Sequence, residues 1–136
     1  MNIEGAKRQI DAFMRWKAQK IKELSKEDYG ISFYTEADAE VIKKMPPMYI
    51  TRIHERFLYY AKSPKNVRDW QHCPFCIVYF CMMCPYGKRH GQCYYCGSDY
   101  QRFKEMLHAN SITGAIGREK IKAKIIELFK REGNSR

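Results

Sequence analysis

At 136 residues and 16.2 kDa the chain is the size of one ordinary domain, which excludes an enzyme with separate cofactor and substrate lobes. Apolar residues at 45% and charged residues at 29% exclude a disordered tail and predict one folded core over residues 1–136. Two features depart from the average: a net charge of +10, and six cysteines that all fall between positions 73 and 96.

The first predicted element is a long helix. Ile3, Ala6, Ile10, Phe13, Met14, Ala18, Ile21 and Leu24 recur at three- and four-residue steps, and Tyr29-Gly30 supplies a stop. Thr35-Glu36-Ala37-Asp38 resembles a capping box opening a short helix that buries Ala37, Val41, Ile42 and Met45 and halts at Pro46-Pro47. A further helix carries the stripe Tyr49, Ile50, Ile53, Phe57, Tyr60 and Ala61, and Ser63-Pro64 restarts the chain for a turn through Trp70. Beyond the cysteines, Ser98 opens a helix burying Tyr100, Phe103, Met106 and Leu107. A final helix from 113–117 onward buries Ile121, Ile125, Leu128 and Phe129. The fold class is therefore mostly α, with helical segments 1–70 and 98–136 flanking a cysteine-rich insert at 73–96.

The longest uncharged run, Cys73–Gly87, holds four cysteines and two prolines and falls short of the roughly 20 apolar residues of a membrane-spanning helix. The basic, h-region-free start gives no secretion signal, so a cytoplasmic location is expected. The excess charge is focused at the two ends: residues 1–26 carry seven basic and three acidic groups, as do residues 112–136. If those ends pack side by side, they form an electropositive face suited to phosphate backbone. Lys120, Lys124 and Arg131 share one side of the last helix, Lys17 and Lys20 are their expected partners on the first, and Lys88 and Arg89 add charge within the insert. The bland reading of the same lysines is a solvated surface.

The cysteines read Cys73-Pro-Phe-Cys76, Cys81-Met-Met-Cys84-Pro85 and Cys93-Tyr-Tyr-Cys96-Gly97, three pairs each with a two-residue gap. Such a gap lets one turn aim two thiolates at a cation, and two pairs complete the tetrahedron zinc prefers. A disulfide framework belongs to secreted chains and does not suit a chain with no signal peptide. In one arrangement Cys73, Cys76, Cys93 and Cys96 form the two knuckles of a zinc ribbon or treble clef, with Ile77–Phe80 as a strand and Gly87–Gly91 as a turn. Cys81 and Cys84 are then left for a second ion with His90 or His72. A compact alternative joins Cys73 and Cys76 to Cys81 and Cys84, or to Cys84 and Cys93.

The order Cys-x-x-Cys, Cys-x-x-Cys-Pro, Cys, then Tyr100-x-x-Phe103 resembles a pattern of small cysteine-rich proteins of phages and prokaryotes. The resemblance covers residues 73–103. It implies metal binding by Cys73, Cys76, Cys84 and Cys93 together with Cys81, departs from the pattern at Cys96, and carries no activity with it.

Four thiols within Cys73–Cys84 followed by Pro85 are also similar to iron–sulfur ligation, although the ferredoxin spacing differs. Cys81-Met-Met-Cys84-Pro85 as a redox dithiol lacks the strand–helix setting of thioredoxin. Enzyme motifs are missing: there is no phosphate-cradling glycine loop, no His-Glu-x-x-His, no Gly-x-Ser-x-Gly and no deaminase His-x-Glu. Residues 70–97 contain no carboxylate, so His72 and His90 are the sole local bases, and a four-thiolate zinc leaves no open position for water. The expectation is a structural metal site in a nucleic-acid-binding or assembly factor. A redox iron–sulfur protein and a protein-interaction adaptor are the alternatives.

Overall fold

A computed structural model describes residues 2–25, 34–64, 73–79, 83–90 and 119–130. The described residues are mostly helical and include no strand. Helix α1 spans Ile3–Ser25 and starts under Asn2, whose side-chain Oδ1 accepts from the Gly5 amide at 3.0 Å. Its periodic stripe buries Ala6, Ile10, Phe13 and Met14, and Ala18 packs against the edge of the core. The glycine stop proposed at Tyr29-Gly30, the turn through Trp70 and the helix from Ser98 lie outside the described residues.

Helix α2, Glu36–Lys44, is opened by the capping box read from the sequence. The Thr35 hydroxyl accepts from the Asp38 amide, and the Thr35 amide donates to Asp38 Oδ2 at 2.8 Å. The inward side is Asp38, Ile42 and Met45, at steps of four and three, which leaves Ala37 exposed contrary to the sequence expectation. Proline stops this helix and starts the next. Met45 is its last cap, and Pro47 occupies the first turn of α3, Pro47–Lys62, where the missing N–H leaves no hydrogen bond unmade.

Helix α3 is the central element, packing against α1, the short helix Pro74–Val78 and the last turn of the described chain. It buries Ile50, Ile53, His54, Phe57, Tyr60 and Ala61. Phe57 is the hub: its ring centroid lies 5.2 Å from Phe13 and 4.8 Å from Phe129, stacked on the latter at 17°. Phe129 arrives on α6, which covers 119–125 and continues into a π-helical turn at Ile126–Lys130. Ile121 and Ile125 share its buried side, as the sequence pattern predicts. Gln9 locks this end in place. Its Nε2 donates to the Leu128 carbonyl at 2.7 Å, while its Oε1 lies 3.0 Å from His54 Nε2.

The entry of the chain into α2 is tied to α1 by a polar cluster. The buried Tyr34 hydroxyl donates to Asp11 at 2.5 Å, and Arg15 bridges Asp11 at 2.8 Å and Glu36 at 2.9 Å. Burial first, and then the hydrogen bond to Asp11, push the Tyr34 phenol far above its ordinary value. A folded-state pKa raised in this way gives stability that is fully present below the unfolded value of about 10 and declines as pH rises beyond it. Tyr34→Phe should therefore cost about 1–2 kcal/mol at neutral pH and flatten the alkaline loss of stability. Urea melts of both proteins at neutral pH and above the ordinary tyrosine pKa measure this, and parallel alkaline slopes would contradict it.

The described part of the insert departs from the ribbon arrangement. Ile77 and Val78, expected in a strand, close the short helix α4, Pro74–Val78, and the Tyr79 amide donates back to the Phe75 carbonyl at 3.0 Å. Gly87, expected in a turn, lies inside helix α5, Pro85–His90. The reason is local: in both places a cysteine is followed by proline, whose fixed φ suits the first turn of a helix.

Candidate metal centre

Each short helix is led by a Cys-Pro-aromatic triplet, Cys73-Pro74-Phe75 and Cys84-Pro85-Tyr86. The two cysteines are buried, and so are the two rings, which stack on each other with centroids 5.3 Å apart and planes inclined at 29°. Tyr86 stacks in turn on His90 at 4.0 Å, extending the column to the end of α5. Phe75 and Tyr86 thus form a small core between the two cysteine-led helices, and Tyr79 joins it to the helical frame by an edge contact with Tyr49 at 5.5 Å.

Cys73 precedes the first turn of α4 and Cys76 lies within it, three residues on. The two thiols are hydrogen-bonded, which with burial and the second thiol nearby pushes the Cys73 thiol well above its ordinary value. The Lys17 ammonium and the Cys76 backbone N–H act in the opposite sense, favouring a thiolate at Cys73. Cys76 itself is exposed. Cys84 lies near Tyr79, whose phenol is raised by burial first, then by Tyr49 and by Cys84.

His90, a candidate ligand for a second ion, is packed into the interior. Its Nε2 meets Asp38 Oδ2 at 2.7 Å, and both side chains are almost completely buried. The same carboxylate takes the Thr35 amide and hydroxyl, so α2 and α5 are joined through one residue. An ionised carboxylate is acceptor only, which assigns the proton on Nε2 to His90 as donor. Sequence reasoning missed Asp38. The carboxylate absent from residues 70–97 is supplied from 52 positions upstream, and the signal for it was the capping box itself, which turns its fourth residue inward.

Among the described residues no group of three or more His, Cys, Asp and Glu is placed to hold a metal ion. Cys81, Cys93, Cys96 and His72 lie outside them, so three of the six cysteines are placed: Cys73 and Cys76 together, and Cys84 at the second helix start.

The basic set divides. The ends do meet: α1 packs against the final turn, and Lys124 Nζ lies 5.9 Å from the centre of the Trp16 ring. Lys120 and Lys88 are exposed and Lys20 is half-buried, whereas Arg131 and the Arg89 side chain lie outside the described residues. Lys124 is partly covered and paired with Glu127 at 3.0 Å. Lys17 is the correction: it is only 1% exposed and its ammonium sits 5.9 Å from the Phe13 ring centre, so it belongs to the interior and not to a phosphate-binding face. Position 17 follows Phe13 by four and Met14 by three, so helix geometry places it on the buried stripe, with its ammonium over the Phe13 ring.

No protein-family description matches the chain, and neither the curated proteins nor the solved structures include a significant match to it. No helix among the described residues is long and apolar enough to cross a membrane.

Proposed function

We propose that the chain is a small helical protein stabilised by zinc held on its cysteine insert, which uses the basic side of its terminal helices to bind nucleic acid as a regulatory or assembly factor. The carrying observation is the doubled Cys-Pro-aromatic start. Stacking Phe75 on Tyr86 brings two cysteine-led segments into one small core, with Cys73 and Cys76 already in thiol–thiol contact. Cys73, Cys76 and Cys84 would supply part of the ligand set, with the remainder from Cys81, Cys93 and Cys96; the resemblance to small phage and prokaryotic cysteine-rich proteins implies the same set apart from Cys96. The helical course of Ile77 and Val78 favours the compact pairing over a ribbon hairpin. Burial of Lys17 on the Cys73 side suits such a centre, because a four-thiolate zinc carries net negative charge that a nearby ammonium offsets. The Asp38–His90 pair then serves to hold the insert on the frame.

The test is metal analysis and an absorption spectrum of protein purified without oxygen, followed by titration with single- and double-stranded DNA and RNA at two salt concentrations. A colourless protein with stoichiometric zinc and salt-sensitive binding is expected, with Lys120→Gln/Lys124→Gln lowering affinity evenly across sequences and flattening the salt dependence. A brown protein absorbing near roughly 400 nm would replace zinc by an iron–sulfur cluster. Zinc without any salt-sensitive binding would leave the adaptor reading.

A further inference from the structure

Helix α3 packs against three neighbours, and the side it leaves to solvent carries Met48, Arg52, Glu55, Arg56, Tyr59 and Lys62. At about 100° per residue these six fall within about 120° of the helix circumference, so they form one stripe that rises about 21 Å from end to end. Met48 at 69% and Tyr59 at 50% are two of the three large apolar side chains exposed among the described residues. The Tyr59 ring leans on the buried Tyr60 with centroids 6.0 Å apart, which steadies it while half of the side chain stays open. Among the described residues the side chains of Arg52, Glu55, Arg56 and Lys62 enter no ion pair or hydrogen bond. By contrast Arg15 is held by Asp11 and Glu36, and Lys43 and Lys44 by Glu40. In sequence the stripe is hidden, because residues 27–69 hold seven basic and seven acidic groups. Three of those acids, Glu36, Asp38 and Glu40, lie on α2, and Glu55 is the single acid on the open side of α3.

We propose that this stripe is a contact surface for single-stranded nucleic acid, with Arg52, Arg56 and Lys62 on the phosphates and Tyr59 stacked on a base. It rests on the proposed nucleic-acid function and adds to it a second surface and the kind of strand. Arg52 and Arg56 are one turn apart, a rise of about 6 Å, so both guanidinium groups can meet one strand running along the helix. Arginine suits this task, because its planar fork donates to two phosphate oxygens at once. The exposed ring decides the strand type. In a duplex the base faces are covered by their neighbours, whereas a single strand offers an unstacked face to an aromatic side chain beside its backbone contacts. Met48 extends the apolar part of the stripe at its first turn, and Glu55 opposes binding by repelling the backbone.

The experiment titrates the full chain, as purified, into a labelled oligothymidylate and into a labelled mixed-sequence duplex of equal length, reading fluorescence anisotropy over a range of salt concentrations. Arg52→Gln/Arg56→Gln should weaken single-strand binding and reduce the slope of log affinity against log salt by about 1.4, the share of two phosphate contacts. Tyr59→Leu should weaken single-strand binding at least about fivefold with the salt slope unchanged, Tyr59→Phe should bind as wild type, and duplex binding should not respond to either. Glu55→Gln should tighten single-strand binding, and this benign surface change keeps the test open if an arginine variant fails to fold. Single-strand affinity unmoved by the double arginine variant, equal losses on both strands from Tyr59→Leu, or no tightening in Glu55→Gln would each overturn the proposal. The two failures are distinguishable. If the α3 variants bind as wild type while Lys120→Gln/Lys124→Gln binds less, the stripe is wrong and the terminal helices stand. If the wild type shows no salt-sensitive binding to either strand, both are wrong, and the Met, Arg and Tyr content of the stripe points to a protein partner instead.

Discussion

Asp38→Ala should lower the folding free energy by about 3–5 kcal/mol, the range for removing one partner from a buried, hydrogen-bonded pair. The carboxylate takes three donors at once, the Thr35 amide at 2.8 Å, the Thr35 hydroxyl at 3.1 Å and His90 Nε2 at 2.7 Å, and the bond to His90 is buried away from water. Thr35→Ala, which removes the cap but leaves the link to α5, should cost only about 1 kcal/mol. Urea unfolding at neutral pH compares the two. If Asp38→Ala is no worse than Thr35→Ala, the pairing with His90 contributes nothing to stability and α5 is held by its ring stack alone.

If the proposed zinc is bound, its chelation under reducing conditions should be the second large effect. Metal binding and folding are coupled in thiolate sites, where zinc contributes up to about 10–16 kcal/mol in peptides that fold only around it. Here α1, α2, α3 and α6 hold a core of their own around Phe57, so a loss of several kcal/mol is expected, centred on α4 and α5. Tyrosine fluorescence and thermal melts read it, and an unchanged melt after verified metal removal would count against a structural ion. Comparison of Cys73→Ser with Cys81→Ser then separates the pairings. A ribbon pairing makes the Cys73 variant lose more metal, whereas equal losses place both thiols on one compact centre or in a cluster.

The helices of the frame were legible because their information is local. Steps of three and four mark α1, α3 and α6, the Thr35 box marks the start of α2, and Pro46-Pro47 separates α2 from α3. The insert was misread where two local signals conflicted. Ile77-Val78-Tyr79-Phe80 is rich in β-branched and aromatic residues and suggests a strand, but Pro74 directly after Cys73 signals a helix start, and in the folded chain the helix prevails through Val78. Lys17 was assigned by its charge when its position on the stripe decided its place. The Asp38–His90 pair was beyond reach for a different reason: no periodicity connects residues 52 positions apart, and only the packing of α5 against α2 brings them together. The cysteine spacing remained the strongest clue to chemistry, and it located the thiol pair at Cys73 and Cys76.

The docking of Phe129 on Phe57, fastened by Gln9 across 119 positions of sequence, also sets an order of assembly. At synthesis rates of about 5–20 residues per second, the segment carrying Phe57 emerges several seconds before its stacking partner exists. During that interval α1 and α3 can pair through Phe13 and Phe57, but the side of Phe57 that later receives Phe129 stays uncovered. Closing so long a loop adds little to the final free energy, since its entropic cost grows only logarithmically with length, yet it delays the step that seals the core. A nascent chain in which α1 has paired with α3 would therefore carry an open face on Phe57 until α6 arrives with its π-helical turn.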